Sequence, residues 1–438
     1  MNGQQVFFND ALRLAFQAVN AQQLPDSIPV LFIRDIHGRI RIAINAPKEQ
    51  YPSDTVESLS QELTKLSVFN AGLLFQDELF DPDALFDNPD VVEVYIAGSD
   101  RPIRILDRQV VGQDWLRPDV HSPVVNNKPP RLVFYGLKGG VGRSTALAML
   151  AYQLAHSGKR VLLVDFDLES PGLSGLLLPP DRLADCGMVD WFIEDAVNQG
   201  DAVLDRMISV SPLSEQTQGE IRVAAAMGIG EDFYLAKLFR IYADVARDGH
   251  VEGFSQRVRR LVNTLEVREK PDVVLIDSRT GLHDLAAVSI VSLATFAFLF
   301  AVDTAQTWQG YRLLFSHWQS HPSVLLAVRE RLVMVEALFP ESDQAARVSR
   351  FLQNAYTLFS ETIYEQIEPG KEPVPDVFNF DMNDTAAPHY PLRIKWNNRF
   401  QEFDPLLLLK NILTEADIAA TFGDFLDGAK RLIDGDAA

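Results

Sequence analysis

The stretch that decides the fold is Leu137-Lys138-Gly139-Gly140-Val141-Gly142-Arg143-Ser144-Thr145, directly after the apolar run Arg131-Leu-Val-Phe-Tyr-Gly136. The run reads as a buried strand. Behind the loop, Ala146, Leu147, Leu150, Ala151 and Leu154 recur at helical spacing and Gly158 supplies a stop, so a helix follows. Three glycines in four positions let backbone N–H groups close around an anion, and the helix N-terminus adds its partial positive charge. A hydroxyl pair at the helix start stands where a phosphate-bound Mg²⁺ needs an oxygen ligand. Strand, glycine loop, hydroxyls and helix in this order predict a phosphate cradle.

Working outward, RVLLVDF, EIRVAAAM, DVVLIDS, FAFLFAV and RLVMVEAL are further short apolar runs, most without strict alternation, separated by helical stretches or loops. Runs of this kind fit strands buried on both faces, and their alternation with helices predicts an α/β fold with a mainly parallel sheet. Long connections place inserted helices around residues 179–270. Residues 117–130, with four prolines and two asparagines, read as a linker. Before it, helical patterns at 5–21 and 54–68 and two hairpins predict a small α+β module over 1–116. The hairpins turn at Asp35-Ile36-His37-Gly38 and Gly98-Ser99-Asp100-Arg101. The nucleotide-binding domain is then expected over 131–438.

Composition narrows the function classes. The chain has 438 residues, 47% hydrophobic and 23% charged, which is ordinary globular composition. One cysteine, Cys186, excludes an internal disulfide framework, a cysteine zinc site and an iron–sulfur cluster held within one chain. An acidic, polar N-terminus and the lack of an apolar run long enough to span a bilayer predict a soluble, cytoplasmic protein with no membrane contact. The net charge is −20, spread over both parts: residues 1–130 hold 11 basic and 18 acidic residues. Binding that relies on neutralising phosphates shows the opposite balance, so bulk nucleic acid is disfavoured as a partner.

The loop resembles the deviant Walker A motif of the ParA/MinD-type P-loop ATPases (SIMIBI class), in which a second lysine precedes the glycine pair. The resemblance continues through Asp165-Phe166-Asp167-Leu168-Glu169-Ser170-Pro171-Gly172-Leu173, similar to the family's switch I, and Asp277-Ser278-Arg279-Thr280-Gly281, similar to its Walker B and switch II. It covers roughly 131–400 and leaves 1–130 outside. It implies ATP and Mg²⁺ as cofactors. Gly139, Gly140, Val141, Gly142, Arg143, Ser144 and Thr145 would bind the phosphates, and Lys138 would reach those of a partner subunit. Ser144 would ligate Mg²⁺, with Asp165 and Asp277 supporting it through water; Asp167 would position or activate the attacking water; Gly281 would sense the γ-phosphate. The usual loop lysine is replaced by Arg143, which keeps the charge on a bulkier, delocalised group and puts the hydrolysis rate in question. A subset of the family with KGGxGR[ST], DLExPGL and DSRTG motifs is similar in this respect, and it suggests signalling or defence.

The resemblance therefore implies a slow ATPase switch that dimerises around Mg-ATP and signals to an unidentified protein partner. The alternatives are a static ATP-binding module, a small-molecule ligase on the same fold, or a DNA-partitioning ATPase. Other signals carry less. His317 and His321 are spaced i,i+4 but lack a third metal ligand; Cys186 reads as a small core residue; Arg257, Arg259 and Arg260 read as one solvated helix face. Arg279 is open between an electrostatic stabiliser, a partner contact and a structural ion pair. Residues 75–90, with six acidic residues and Phe75, Phe80 and Phe86, read as an acidic loop anchored by aromatics or as a docking strip. The stretch from Glu415 reads as an amphipathic packing helix.

Overall fold

The computed structural model describes residues 5–22, 24–25, 28–118, 128–229, 233–247, 249–340, 344–367, 377–400, 404, 406 and 414–435. The chain divides into two compact units, Met1–Arg117 with Ser316–Leu326, and Pro118–Phe315 with Ala327–Ala438. Most of the expected linker, 119–127, lies outside the described residues.

The first unit holds a five-stranded sheet of β1 (Val30–Arg34), β2 (Ile40–Ile44), β3 (Asn70–Phe75), β4 (Val91–Val94) and β5 (Ile103–Asp107), in the order β3-β2-β1-β5-β4. Both expected hairpins form as antiparallel pairs, β1 with β2 and β4 with β5. The sheet is mixed, because β1–β5 and β2–β3 are parallel. Helices Phe8–Asn20 and Ser53–Leu63 bury Ala15, Phe16, Leu59 and Leu63 against Phe32, Ile42 and Ile105 on one face. Leu31, Ala43 and Leu106 point the other way, to Phe86, as the period-two alternation of strands requires. β3 had no place in the sequence reading: Gly72 breaks its pattern, with φ of +87°. In the 75–90 stretch Phe75 and Phe86 are buried but Phe80 is fully exposed, so only two of the three aromatics anchor it.

The second unit is built on an eight-stranded sheet. Its strands are β6 (Arg131–Gly136), β7 (Arg160–Phe166), β8 (Ile208–Val210), β9 (Glu220–Ala224), β12 (Val273–Ser278), β13 (Phe296–Ala301), β14 (Leu332–Phe339) and β15 (Leu392–Lys395). A separate hairpin pairs β10 (Val245–Arg247) with β11 (His250–Glu252). The order is β15-β14-β13-β6-β12-β7-β9-β8, and every neighbouring pair is parallel except β8 with β9. The architecture is thus an α/β sheet, largely parallel and flanked by helices. All six residues of β6 and of β12 are buried, which is why those runs show no polar alternation.

Helix Arg143–His156 packs Leu147, Leu150 and Leu154 into the same core as helix Glu415–Asp434, which contributes Phe422, Phe425 and Leu426. Phe425 meets Phe134, Phe298 and Phe300 at centroid distances of 6.1, 5.5 and 6.1 Å, so the C-terminal helix is a packing element. Residues 179–270 carry helices Met188–Ala196, Gly200–Leu204, Tyr234–Leu238 and Phe254–Glu269, together with β8, β9 and the β10–β11 hairpin. No helix among the described residues is long and apolar enough to cross a membrane.

The solvated-face reading of Arg257 fails. Its side chain is wholly buried and donates to Asp195 at 3.1 Å and to the carbonyls of Ile241 and Ala243. Asp195 also accepts from Arg247 and Arg260, so a buried carboxylate gathers the guanidiniums inward. His317 and His321 lie 4.8 Å apart between ring centroids; burial drives both to the neutral form, His317 down to about 4. Among the described residues no group of three or more His, Cys, Asp or Glu is arranged to hold a metal.

Candidate functional site

The site lies where the carboxyl ends of β6, β7 and β12 meet, the edge at which open α/β sheets bind ligands. β6 ends at Gly136, where a Cβ would press within 3.4 Å of the Lys138 carbonyl and of Val141. The loop then bends through Gly140 at φ +74° and Gly142 at φ +78°, backbone that L side chains resist. Gly142 caps helix Arg143–His156, and its carbonyl accepts the first helical bond, from Ala146 N–H, at 2.9 Å. Gly139 and Gly140 are exposed, while Lys138, Val141, Gly142, Ser144 and Thr145 are half-buried. Lys138 makes no ion pair among the described residues.

Three carboxylates face this loop. Asp165 in β7 and Asp277 in β12 are cross-strand neighbours, and both are buried. Ser144 Oγ donates to Asp277 Oδ2 at 2.6 Å. Asp165 accepts the backbone N–H groups of Asp167 at 3.1 Å and Leu173 at 3.3 Å, which shapes the turn after β7. Arg143 is also buried: Nη2 donates to Asp167 Oδ2 at 3.1 Å, and Nε lies 3.3 Å from Asp277 Oδ1. Arg143 therefore pairs with two carboxylates.

Electrostatically the cluster is short of positive charge. Burial, then the Asp277 charge, pushes the Asp165 carboxyl well above the usual range. Burial also raises Asp277, although the Arg143 guanidinium and the Ser144 hydrogen bond pull it down, and it raises Asp167 against the pull of Arg143. Of the three carboxylates only Asp167 and Asp277 pair with the Arg143 guanidinium, while Arg143 Nη1 and Asp277 Oδ1 are buried without a hydrogen bond. A bound anion would meet the first and a cation the second. Mg²⁺ keeps several waters and needs few protein ligands, so a hydroxyl with one or two carboxylates fits it. On the donor set and the open glycine cradle, Mg²⁺ and a nucleotide phosphate chain fit these residues.

One expected feature is differently engaged. Gly281, at φ +76°, donates its N–H to the Gly136 carbonyl at 3.1 Å, and its own carbonyl accepts the Tyr135 hydroxyl at 3.1 Å. In this conformation the N–H closes the loop onto β6. Arg279 resolves as an ion pair with Glu169. The sequence reading gave no role to Glu169, nor to Tyr234, Tyr242 and His283 around it. Glu169 stood inside a quoted motif, whereas the insert tyrosines carried no sequence signal.

Residues 132–368, more than half of the chain, match the family described as the CobQ/CobB/MinD/ParA nucleotide binding domain. Over 58 residues the chain is 47% identical to an ATPase get3 of Aspergillus niger, covering 13% of this chain and 17% of that protein. Over 55 residues it is 46% identical to the chromosome-partitioning ATPase Soj of Thermus thermophilus, covering 13% and 22%. The chain thus spans about a fifth of the length of the curated relatives it matches. Among solved structures it is similar to pNOB8 ParA (TM-score 0.43, 17% identity, 70% of this chain and 99% of that one). It is also similar to cobyrinic acid a,c-diamide synthase from Mycobacterium smegmatis with bound ATP analogue and magnesium (TM-score 0.36, 18% identity, 64% and 94%). With the family match spanning the strand–loop–helix and the aspartate-bearing strands, this chain belongs to the CobQ/CobB/MinD/ParA nucleotide-binding family.

Proposed function

We propose that the chain is a slow, Mg²⁺-dependent ATPase switch that closes into a homodimer around ATP and passes its nucleotide state to a protein partner, in a signalling or defence system. The observation that carries this reading is the glycine cradle facing Asp165, Asp167 and Asp277 across buried Arg143 and half-buried Ser144. Gly139 to Thr145 bind the phosphates through backbone N–H groups, the hydroxyls and the Arg143 guanidinium, and Lys138 serves the partner's nucleotide. Ser144, Asp165 and Asp277 hold Mg²⁺, which neutralises phosphate charge when bound. Asp167 orients the water that attacks the γ-phosphorus; the new P–O bond forms as the bond to the β–γ bridging oxygen breaks, leaving ADP and phosphate. Such catalysis is mostly positioning and charge neutralisation, the work these groups can do.

The test is the light-scattering mass of Asp167→Ala with Mg²⁺, with and without ATP. A monomer-to-dimer shift only with ATP supports the switch; no shift in protein that binds ATP rejects it. One observation favours a second reading, a static ATP-binding module. Arg143 is tied to both Asp167 and Asp277, so phosphate binding competes with those pairs. Nucleotide that survives purification without phosphate release would select the static module. A partitioning role is disfavoured by the net charge of −20, and an electrophoretic shift at low salt would reinstate it.

A further inference from the structure

Glu169, which the proposed hydrolysis does not use, is where three segments of the second unit meet. It lies two residues after Asp167, on the stretch 167–172, which forms neither helix nor strand. Its Oε1 accepts the Tyr242 hydroxyl at 2.6 Å and lies 3.5 Å from His283 Nε2, while its Oε2 pairs with the Arg279 guanidinium. The adjacent Leu168 carbonyl accepts the Tyr234 hydroxyl at 2.7 Å. The stretch is therefore gripped from two directions, by residues 279–283 beyond β12 and by 234–242 of the insert.

The two grips are themselves braced. Leu238 and Ile241 are buried between the tyrosines, and the Tyr242 ring packs on Phe254 and His283 at centroid distances of 4.8 and 5.6 Å. An exposed ion pair contributes little. Here Glu169 and Arg279 are only 22% and 26% exposed, and a phenol and an imidazole join them. Because 167–172 lacks regular backbone pairing, side-chain contacts set where it lies.

We propose that Glu169 is a positioning residue: clamped by Arg279, His283 and Tyr242, it fixes Asp167 opposite the phosphate loop and ties that placement to the 279–283 loop. This rests on the reading of Asp167 as the carboxylate that orients water. A displacement of about 1 Å at a reacting group costs on the order of a hundredfold in rate. Loosening the clamp therefore lowers turnover and leaves phosphate binding, made by other residues, in place.

The experiment compares the full-length parent with Glu169→Gln, Arg279→Gln, the double variant and Arg279→Lys. It measures phosphate release, affinity for a fluorescent ATP analogue with Mg²⁺, and amide exchange over 167–172. Expected are a fall in kcat of about tenfold to a hundredfold for Glu169→Gln with unchanged affinity, and a double variant no worse than the worse single one. Faster exchange over 167–172 at an unchanged melting temperature, and partial recovery in Arg279→Lys relative to Arg279→Gln, are also expected. Parental kcat in Glu169→Gln, additive losses, or unaltered exchange would overturn the clamp. A parent that binds ATP without releasing phosphate would reject the hydrolysis reading, and exchange over 167–172 would then decide the clamp alone.

Discussion

The two sheets of this molecule answer different demands. In the five-stranded sheet, five of the six residues of β3 are only half-buried, and in β1 Leu31 and Phe32 serve opposite faces. In the eight-stranded sheet, β6 and β12 are buried along their whole length. A mixed sheet sends its strand ends in both directions. A parallel sheet delivers the carboxyl ends of β6, β7 and β12 to one edge, where Asp165 and Asp277 become neighbours and the glycine loop closes over them. The strand direction that demands two covered faces is also what concentrates polar groups at one edge.

The largest expected effect breaks the contrast in burial. Phe134→Ala removes a ring packed on Phe298, Phe300 and Phe425 and should cost about 3–5 kcal/mol in denaturant unfolding. Val92→Ala on half-buried β4 should cost about 1 kcal/mol. Equal losses would mean that the two sheets are not stabilised differently.

Next comes the chemistry at the shared edge. Asp167→Ala should lower phosphate release by about a hundredfold or more, the scale of a positioned acid–base group, with ATP affinity kept. A variant as fast as the parent would remove Asp167 from the site. Ser144→Ala leaves the buried Asp277 without its hydroxyl donor, and Mg²⁺-dependent ATP binding should weaken about tenfold, measured by titration calorimetry. If binding without Mg²⁺ falls equally, the hydroxyl acts on phosphate rather than on the metal.

The last test probes a charge inside β14. Burial holds the Glu336 carboxyl up at about 7, against the pull of Arg393 at 3.2 Å. The folded state thus binds this proton more tightly than the unfolded chain. Its stabilising contribution is complete below the unfolded value of 4.5 and is lost as pH rises through about 7. Melting temperatures at pH 5 and pH 8 should differ in that direction, and Glu336→Gln should flatten the slope.

Much of this was legible in particular residues. Six apolar runs of the second unit are strands, and the loop from Leu137 to Thr145 sits between β6 and its helix. Both hairpins of the first unit form at their turn residues. Strand β3 was hidden because glycine at position 72 breaks the alternation, and β8, β10 and β11, at three residues each, are too short for a pattern. Arg257 was misread because a charged residue on a helix is ordinarily solvated, and its partner Asp195 lies 62 positions away.

What the sequence determined by itself was local or global, not intermediate: where a strand must stop, where glycine must bend the chain, which helix starts on a hydroxyl pair, and a net charge of −20. These follow from backbone sterics, periodicity and net charge, which act over a few residues or over the whole composition. The tertiary structure decided which charges meet. It set Asp165 beside Asp277, turned Arg143 onto two carboxylates, engaged the Gly281 N–H with Gly136, and drew Tyr234, Tyr242 and Arg279 around the loop after Asp167. Ion pairs and hydrogen bonds depend on distance and burial, and residues far apart in the chain acquire both only when the sheet is assembled.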